Sequence, residues 1–413
     1  MRLGETLSLM RVARPSAPYG ARSLARCYSI EDVARKARRR LPVGARAYLE
    51  GGSEGEYTLR RNRAAFDRLE FVPDMPRDVS RVDTATTVLG ERLALPIALS
   101  PVGAPRMFHH EGERAVARAA GHAGIPYGLS SLATVSVEEV ASQTDAPLWF
   151  QVYVWGDRGE AKEAVTRARA AGFKALLFSV DTAVRSKRER EKRAGLNLPR
   201  PQLTLKTLLD GAAHPGWAWH FLTSEPISFP NIGPPDHRSR EKLTEMFDGT
   251  ACWEDLDWMR EIWDGPILIK GVLGAHEAIR AADAGVDGVI VSNHGGRQLD
   301  HVPATIDVLS EVVDAVGDRI EVLVDSGFRR GTDIAAALAL GARAVLVGRA
   351  HLYGLAAAGE AGVRHAIDIL AHELRMTMAL CGARSIAELD RGLIRHLPVA
   401  AGPDPAVVHS TGD

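Results

Sequence analysis

The sequence predicts an α/β protein: a (β/α)8 TIM barrel preceded by N-terminal helices and interrupted by a long insertion after its fourth strand. Three observations carry this prediction. Eight short apolar runs recur from residue 96 onward, each fitting a buried parallel strand. Amphipathic stretches lie between most of them, several closed by glycine, and strand-helix units joined by right-handed crossovers close into a barrel. The spacing is broken once, by about 85 residues between Asp181 and Pro266.

Residues 1–29 carry five arginines against the single acid Glu5, with scattered serines and prolines. Such a basic tail reads either as disordered or as an organelle transit peptide. Ser29 with Asp32 three residues on predicts a capped helix with Val33, Ala34 and Ala37 on one face. The run from Arg35 to Arg40 reads as its solvated side. Pro42 opens a second helix through Tyr48 and Leu49, stopped by Gly51-Gly52.

The strands follow as Pro96 to Pro101, Pro126 to Ser130, Leu148 to Val154, Ala175 to Asp181, Pro266 to Lys270, Gly288 to Ser292, Ile320 to Asp325 and Ala344 to Gly348. Helices are expected at Glu111 to Ala123, Arg158 to Ala171, Ala275 to Ala284, Ala304 to Val316 and Thr332 to Leu340, with another over Trp253 to Trp263. The expected organisation is a barrel over 30–395 with its insertion at about 186–250, and a tail at 396–413. The insertion begins with the charge run Lys187 to Arg193 and contains Trp217-Ala-Trp219-His-Phe221. Long insertions at this face act as lids or docking loops, and the tryptophan group reads as packing or as contact with a membrane or an electron acceptor.

A net charge of −1 with 46% hydrophobic and 25% charged residues gives no global attraction to nucleic acid. Cys27, Cys252 and Cys381 match no disulfide, zinc or redox spacing, so no metal site is expected and a reducing, cytoplasmic setting is. No apolar run reaches the roughly 18 residues of a spanning helix. Peripheral contact with the inner face of a membrane stays open.

Catalytic residues of such barrels lie at the carboxyl ends of the strands, and here those ends are polar six times in succession. Strand three ends in Gln151 and Tyr153, strand four in Ser179 and Asp181, and strand five in Lys270. Strand six runs into Ser292-Asn-His-Gly-Gly-Arg-Gln-Leu-Asp300, which combines a proton-exchanging histidine, a carboxylate-gripping arginine and glycines that admit close backbone approach. Asp325 to Gly331 and Val347-Gly-Arg349 combine glycines, backbone donors and arginines where barrels commonly hold phosphate.

These motifs, together with Phe150-Gln-Val-Tyr153, Pro266-Ile-Leu-Ile-Lys-Gly271 and Leu323 to Gly331, resemble the FMN-dependent L-2-hydroxy acid oxidising family, which includes glycolate oxidase, flavocytochrome b2 and mandelate dehydrogenase. Glu56-Tyr-Thr-Leu-Arg-Arg-Asn62 and His214-Pro-Gly-Trp-Ala-Trp219 are most similar to the respiratory L-lactate dehydrogenase branch. The resemblance implies FMN as cofactor, a small 2-hydroxy acid, expected to be L-lactate, as substrate, and a quinone or protein as electron acceptor. It also implies a homo-oligomer, a tetramer in many relatives.

By the same resemblance His294 is the base, acting by a hydride or a carbanion route, and Asp181 orients it. Arg297 and Arg188 bind the substrate carboxylate, with Tyr48 and Tyr153 donating hydrogen bonds; counting seven residues from Asp181 selects Arg188, with Arg190 the fallback. Lys270 sits by the flavin N1, and Pro101, Val102, Gly103, Ser130, Gln151, Ser179 and Ser292 surround the ring. Asp325, Gly327, Arg329, Gly348 and Arg349 complete the cofactor set at the phosphate end. Two departures stand out. Leu132 replaces the tryptophan of plant glycolate oxidases, implying room for a larger substrate, and Gly103 is the small residue of the dehydrogenase branches, which favours a quinone or protein over oxygen.

Overall fold

The computed structural model describes residues 24–154, 158–196, 204–233 and 249–397. Most of the expected N-terminal tail, nearly all of the C-terminal one and parts of the insertion lie outside them.

Two helices lead in. Helix α1 (Ile30–Arg40) begins with a reciprocal capping box between Ser29 and Asp32 and buries Ile30, Val33, Ala34 and Ala37. Helix α2 (Val43–Glu50) follows Pro42 and ends at Gly51, and α3 (Tyr57–Ala64) comes next.

The barrel strands are β1 (Ile97–Leu99), β2 (Tyr127–Ser130), β3 (Leu148–Val152), β4 (Ala175–Ser179), β5 (Ile267–Val272), β6 (Gly288–Val291), β7 (Glu321–Val324) and β8 (Ala344–Val347). They form one closed parallel barrel in chain order, β8 pairing back to β1. Each falls inside or within two residues of the run that predicted it. Around it lie α4 (Gly112–Ala123), α5 (Val137–Ala141) and α6 (Arg158–Ala170). In the insertion come α7 (Glu189–Arg193), α8 (Leu205–Ala212) and α9 (Pro215–Thr223). The ring continues with α10 (Asp255–Ile262), α11 (Ala275–Asp283), α12 (Thr305–Val316), α13 (Gly331–Ala339) and α14 (Arg349–Cys381), the last broken at Ala358 and Gly359.

Strand geometry determines what faces the barrel axis. Ala98, Trp149, Leu177, Leu268, Ile290, Leu323 and Leu346 pack together inside the barrel, closed at the amino end by Val88 and Leu93 of the hairpin Thr86–Val88 and Glu91–Leu93. Side chains alternate along a strand, so the residue two further on shares the inward face. That residue is Ser100, Gln151, Ser179, Lys270, Ser292, Asp325 and Gly348 in turn. The mouth is therefore ringed by polar groups because the interior below it is apolar. Strand register sets them side by side: Ser130 lies opposite Gln151, and Ser179 opposite Lys270.

Candidate active site

Above this ring lies an open pocket of ≈ 1020 Å³, solvent at its mouth included, lined by Tyr48, Tyr153, Arg188, Lys270, His294 and Arg297 on one side and by Gly327, Arg329, Gly348 and Arg349 on another. Pro101, Val102, Gly103 and Leu132 complete its wall.

His294 follows β6 in the left-handed region at φ 57°, and Gly295 and Gly296 continue it at 66° and 72°. Three such residues in succession turn the chain sharply and hold the imidazole over the cavity. The glycines are required sterically: a Cβ would lie 2.7 Å from Arg349 Nη1 at Gly295 and 2.6 Å from the Leu59 nitrogen at Gly296. The loop is anchored to α3. Asn62 and Asn293 donate to each other at 2.8 and 2.7 Å, and Asp300 accepts from Thr58 and Tyr57 nitrogens at the start of that helix.

His294 Nδ1 lies 3.2 and 3.1 Å from the two Asp181 oxygens. Burial pulls the imidazole below its usual value, partly offset by Asp181. Burial also works against the Asp181 carboxylate, yet the His294 imidazole, through its charge when protonated and its hydrogen bond, and the Lys270 charge outweigh it and hold the group low. The pair therefore rests as neutral histidine beside ionised aspartate, with the far ring nitrogen free to take a proton.

Lys270 is buried at the end of β5, with Nζ 2.9 Å from Asp325 Oδ2 and donating to Ser292 Oγ at 2.9 Å. Burial alone would depress this ammonium, but Asp325 and Asp181 hold it above its ordinary value, so the site carries a fixed positive charge.

Arg297 lies 4.9 Å over the Tyr48 ring and donates through Nη1 to the Tyr48 and Gly51 carbonyls and through Nη2 to Glu191 at 2.9 Å. Arg188 faces the cavity with Nη1 3.7 Å from the same Glu191 oxygen; burial and the Arg297 charge lower it to about 10. Arg190 turns outward to pair with Glu56. Burial raises Tyr153 well above its ordinary range, so its hydroxyl stays protonated as a donor. The sequence reading missed Glu191, a buried carboxylate under both arginines, although its spacing of three from Arg188 within the helical charge run was a usable signal.

The residues present fit FMN. At the ring end, Gln151 Nε2 and Ser179 Oγ are buried polar atoms with no hydrogen-bond partner among the described residues, as groups awaiting a ligand edge would be. Ser130 fixes the first by donating to Gln151 Oε1 at 2.8 Å. Ser130, Gln151, Ser179 and Ser292 lie buried under the cavity rather than on its wall. At the other end, burial and the charges of Arg297 and Arg329 lower Arg349 to about 9, an arrangement that calls for an anion. The Arg349 guanidinium itself donates to the Leu49, Gly295 and Gly51 carbonyls, so an anion seated here would meet the backbone nitrogens at the amino end of α14.

The FMN-dependent dehydrogenase family pattern matches residues 37–396. A putative L-lactate dehydrogenase of Mycobacterium tuberculosis is 42% identical over 389 residues, covering 94% of either chain. An L-lactate dehydrogenase of Vibrio cholerae serotype O1 is 42% identical over 87% of this chain and 97% of its own. Among solved structures, the monotopic membrane protein (S)-mandelate dehydrogenase superposes with a TM-score of 0.86 at 39% identity, covering 90% of this chain and 100% of that one. A mandelate oxidase with (S)-2-phenylpropionate gives 0.77 at 39% identity, covering 90% and 99%. The chain belongs to the FMN-dependent dehydrogenase family, the 2-hydroxy acid oxidising enzymes that its motifs resemble, and FMN is its cofactor.

Proposed function

We propose that this enzyme oxidises L-lactate to the 2-oxo acid, with His294 as base and the electrons leaving through FMN to a quinone or protein acceptor. The observation that carries the reading is His294, backed by Asp181, facing the same cavity as Arg188, Arg297 and Lys270. The substrate is supported by the relatives named L-lactate dehydrogenase. FMN supplies the two-electron acceptor when bound. Arg188 and Arg297 hold the substrate carboxylate, and Tyr48 and Tyr153 orient its remaining oxygens. His294 then takes the proton at the nitrogen opposite Nδ1, and Asp181 stabilises the imidazolium that forms. Gly327, Arg329, Gly348 and the start of α14 hold the cofactor phosphate.

The reading is tested by anaerobic flavin reduction with a panel running from lactate to mandelate, followed by reoxidation with oxygen or with a quinone in vesicles. Reduction by none of the acids overturns it. Leu132 on the cavity wall supports a second reading, a larger 2-hydroxy acid, which a preference for mandelate would select. For the acceptor, α8 and α9 bury none of their side chains and leave Leu205, Leu208, Leu209, Trp219, Phe221 and Leu222 exposed. This apolar face supports peripheral contact with a membrane that carries a quinone.

Two predictions follow from the site. Arg188→Ala raises KM for the hydroxy acid about 10- to 100-fold, the worth of a charged hydrogen bond, whereas Arg190→Ala stays within about twofold. Equal effects would return the role to Arg190. Because His294 acts unprotonated and is held below 6.5, kcat/KM loses activity only as pH falls through that lowered value. An acid limb lying above 6.5 in the pH profile would contradict the assignment.

A further inference from the structure

Phe108 lines both the candidate active site and a second, open pocket of ≈ 560 Å³, solvent at its mouth included, which also touches His109, His110, Trp217 and His220. Three imidazoles meet there. His109 and His110 lie 4.4 Å apart by ring centroids, and His110 and His220 4.2 Å apart with planes tilted by 13°. One donor atom each from His109, His110 and Glu111 lie within 4.8 Å of one another. A point central to three such atoms is at most about 2.8 Å from each, so shifts of under about 1 Å bring them to the roughly 2.0–2.2 Å of imidazole and carboxylate bonds to zinc.

We propose that His109, His110 and Glu111, in the loop after β1, bind one divalent ion of the zinc, cobalt or nickel class, with His220 of α9 stacked on His110 and holding that ring in place. Imidazole with carboxylate is the donor set such ions favour. His110 Nδ1 is buried with no hydrogen-bond partner among the described residues, a donor atom without other use. Gly359 breaks α14 at φ 59° against this spot, and a Cβ there would lie 3.0 Å from His109 Nε2 and 3.4 Å from Glu111 Oε2. Both atoms thus face the same small space. Glu111 accepts from Arg118 with its other oxygen, Oε1, which leaves Oε2 for the ion.

Trp217 Nε1 donates to the Met107 carbonyl at 2.8 Å, seating α9 so that His220 reaches the pair. The sequence expectation of no metal rested on cysteine spacing and on local motifs. His109, His110 and Glu111 are consecutive in the chain, a usable signal that the cysteine count did not cover, whereas His220 lies far along it.

The test uses the full-length, untagged flavoprotein stripped with chelator and titrated with Zn2+ or Co2+. One equivalent retained through desalting is expected, with Co2+ giving a visible ligand-field spectrum. His110→Ala should abolish retention and His220→Ala weaken affinity at least about tenfold, second contacts to a metal being worth about that much. Unchanged flavin absorbance reports that each variant is folded. Less than a fifth of an equivalent bound, or retention that neither substitution alters, would overturn the proposal.

Discussion

His294→Gln lowers the anaerobic rate of flavin reduction by a 2-hydroxy acid at least about 10³-fold while FMN stays bound. The amide keeps the size of the side chain but cannot take a proton at neutral pH. It also leaves Asp181 without a cation to stabilise, although Asp181 remains near Lys270. Proton removal and charge stabilisation are thus lost together, each worth about 10²-fold or more. Binding should survive, because the carboxylate clamp is built from other elements, Arg297 on the loop and Arg188 at the start of α7. The decisive measurement is stopped-flow reduction beside a flavin spectrum. A rate within tenfold of the parent enzyme, with normal absorbance, would remove His294 from the chemistry.

Lys270→Met produces the second large effect, and it divides into two parts. The ammonium lies 2.9 Å from Asp325 and from Ser292 and is buried. Removing one member of a buried pair strands the other charge, which costs about 3–5 kcal/mol of stability. Losing a fixed positive charge beside a ring that becomes electron-rich lowers the reduction rate by about 10²- to 10³-fold. A Lys270→Met, Asp325→Asn double variant separates the parts: thermal stability should recover, since no lone carboxylate remains, while the rate stays low. Recovery of the rate along with stability would mean that Lys270 serves packing alone.

The barrel was legible because each strand announces itself within five or so residues. The polar mouth was legible because period-two alternation carries Leu268 to Lys270, Ile290 to Ser292 and Leu323 to Asp325 on one face. The loop at His294 was legible because glycines mark backbone that other residues cannot adopt. The choice between Arg188 and Arg190 was harder. Two residues apart at the start of a helix, such side chains point in nearly opposite directions, and the start of α7 decides which faces the cavity.

By itself, then, the sequence determined the α/β barrel, its strands, the ring of polar strand ends and the histidine loop, all of which depend on neighbours in the chain. Only the tertiary structure decided that Glu191 sits beneath both arginines, that α8 and α9 turn an apolar face outward, and that His220 stacks on His110. Those outcomes arise from contacts between segments far apart in sequence, where loop closure and packing, rather than local periodicity, select the partner.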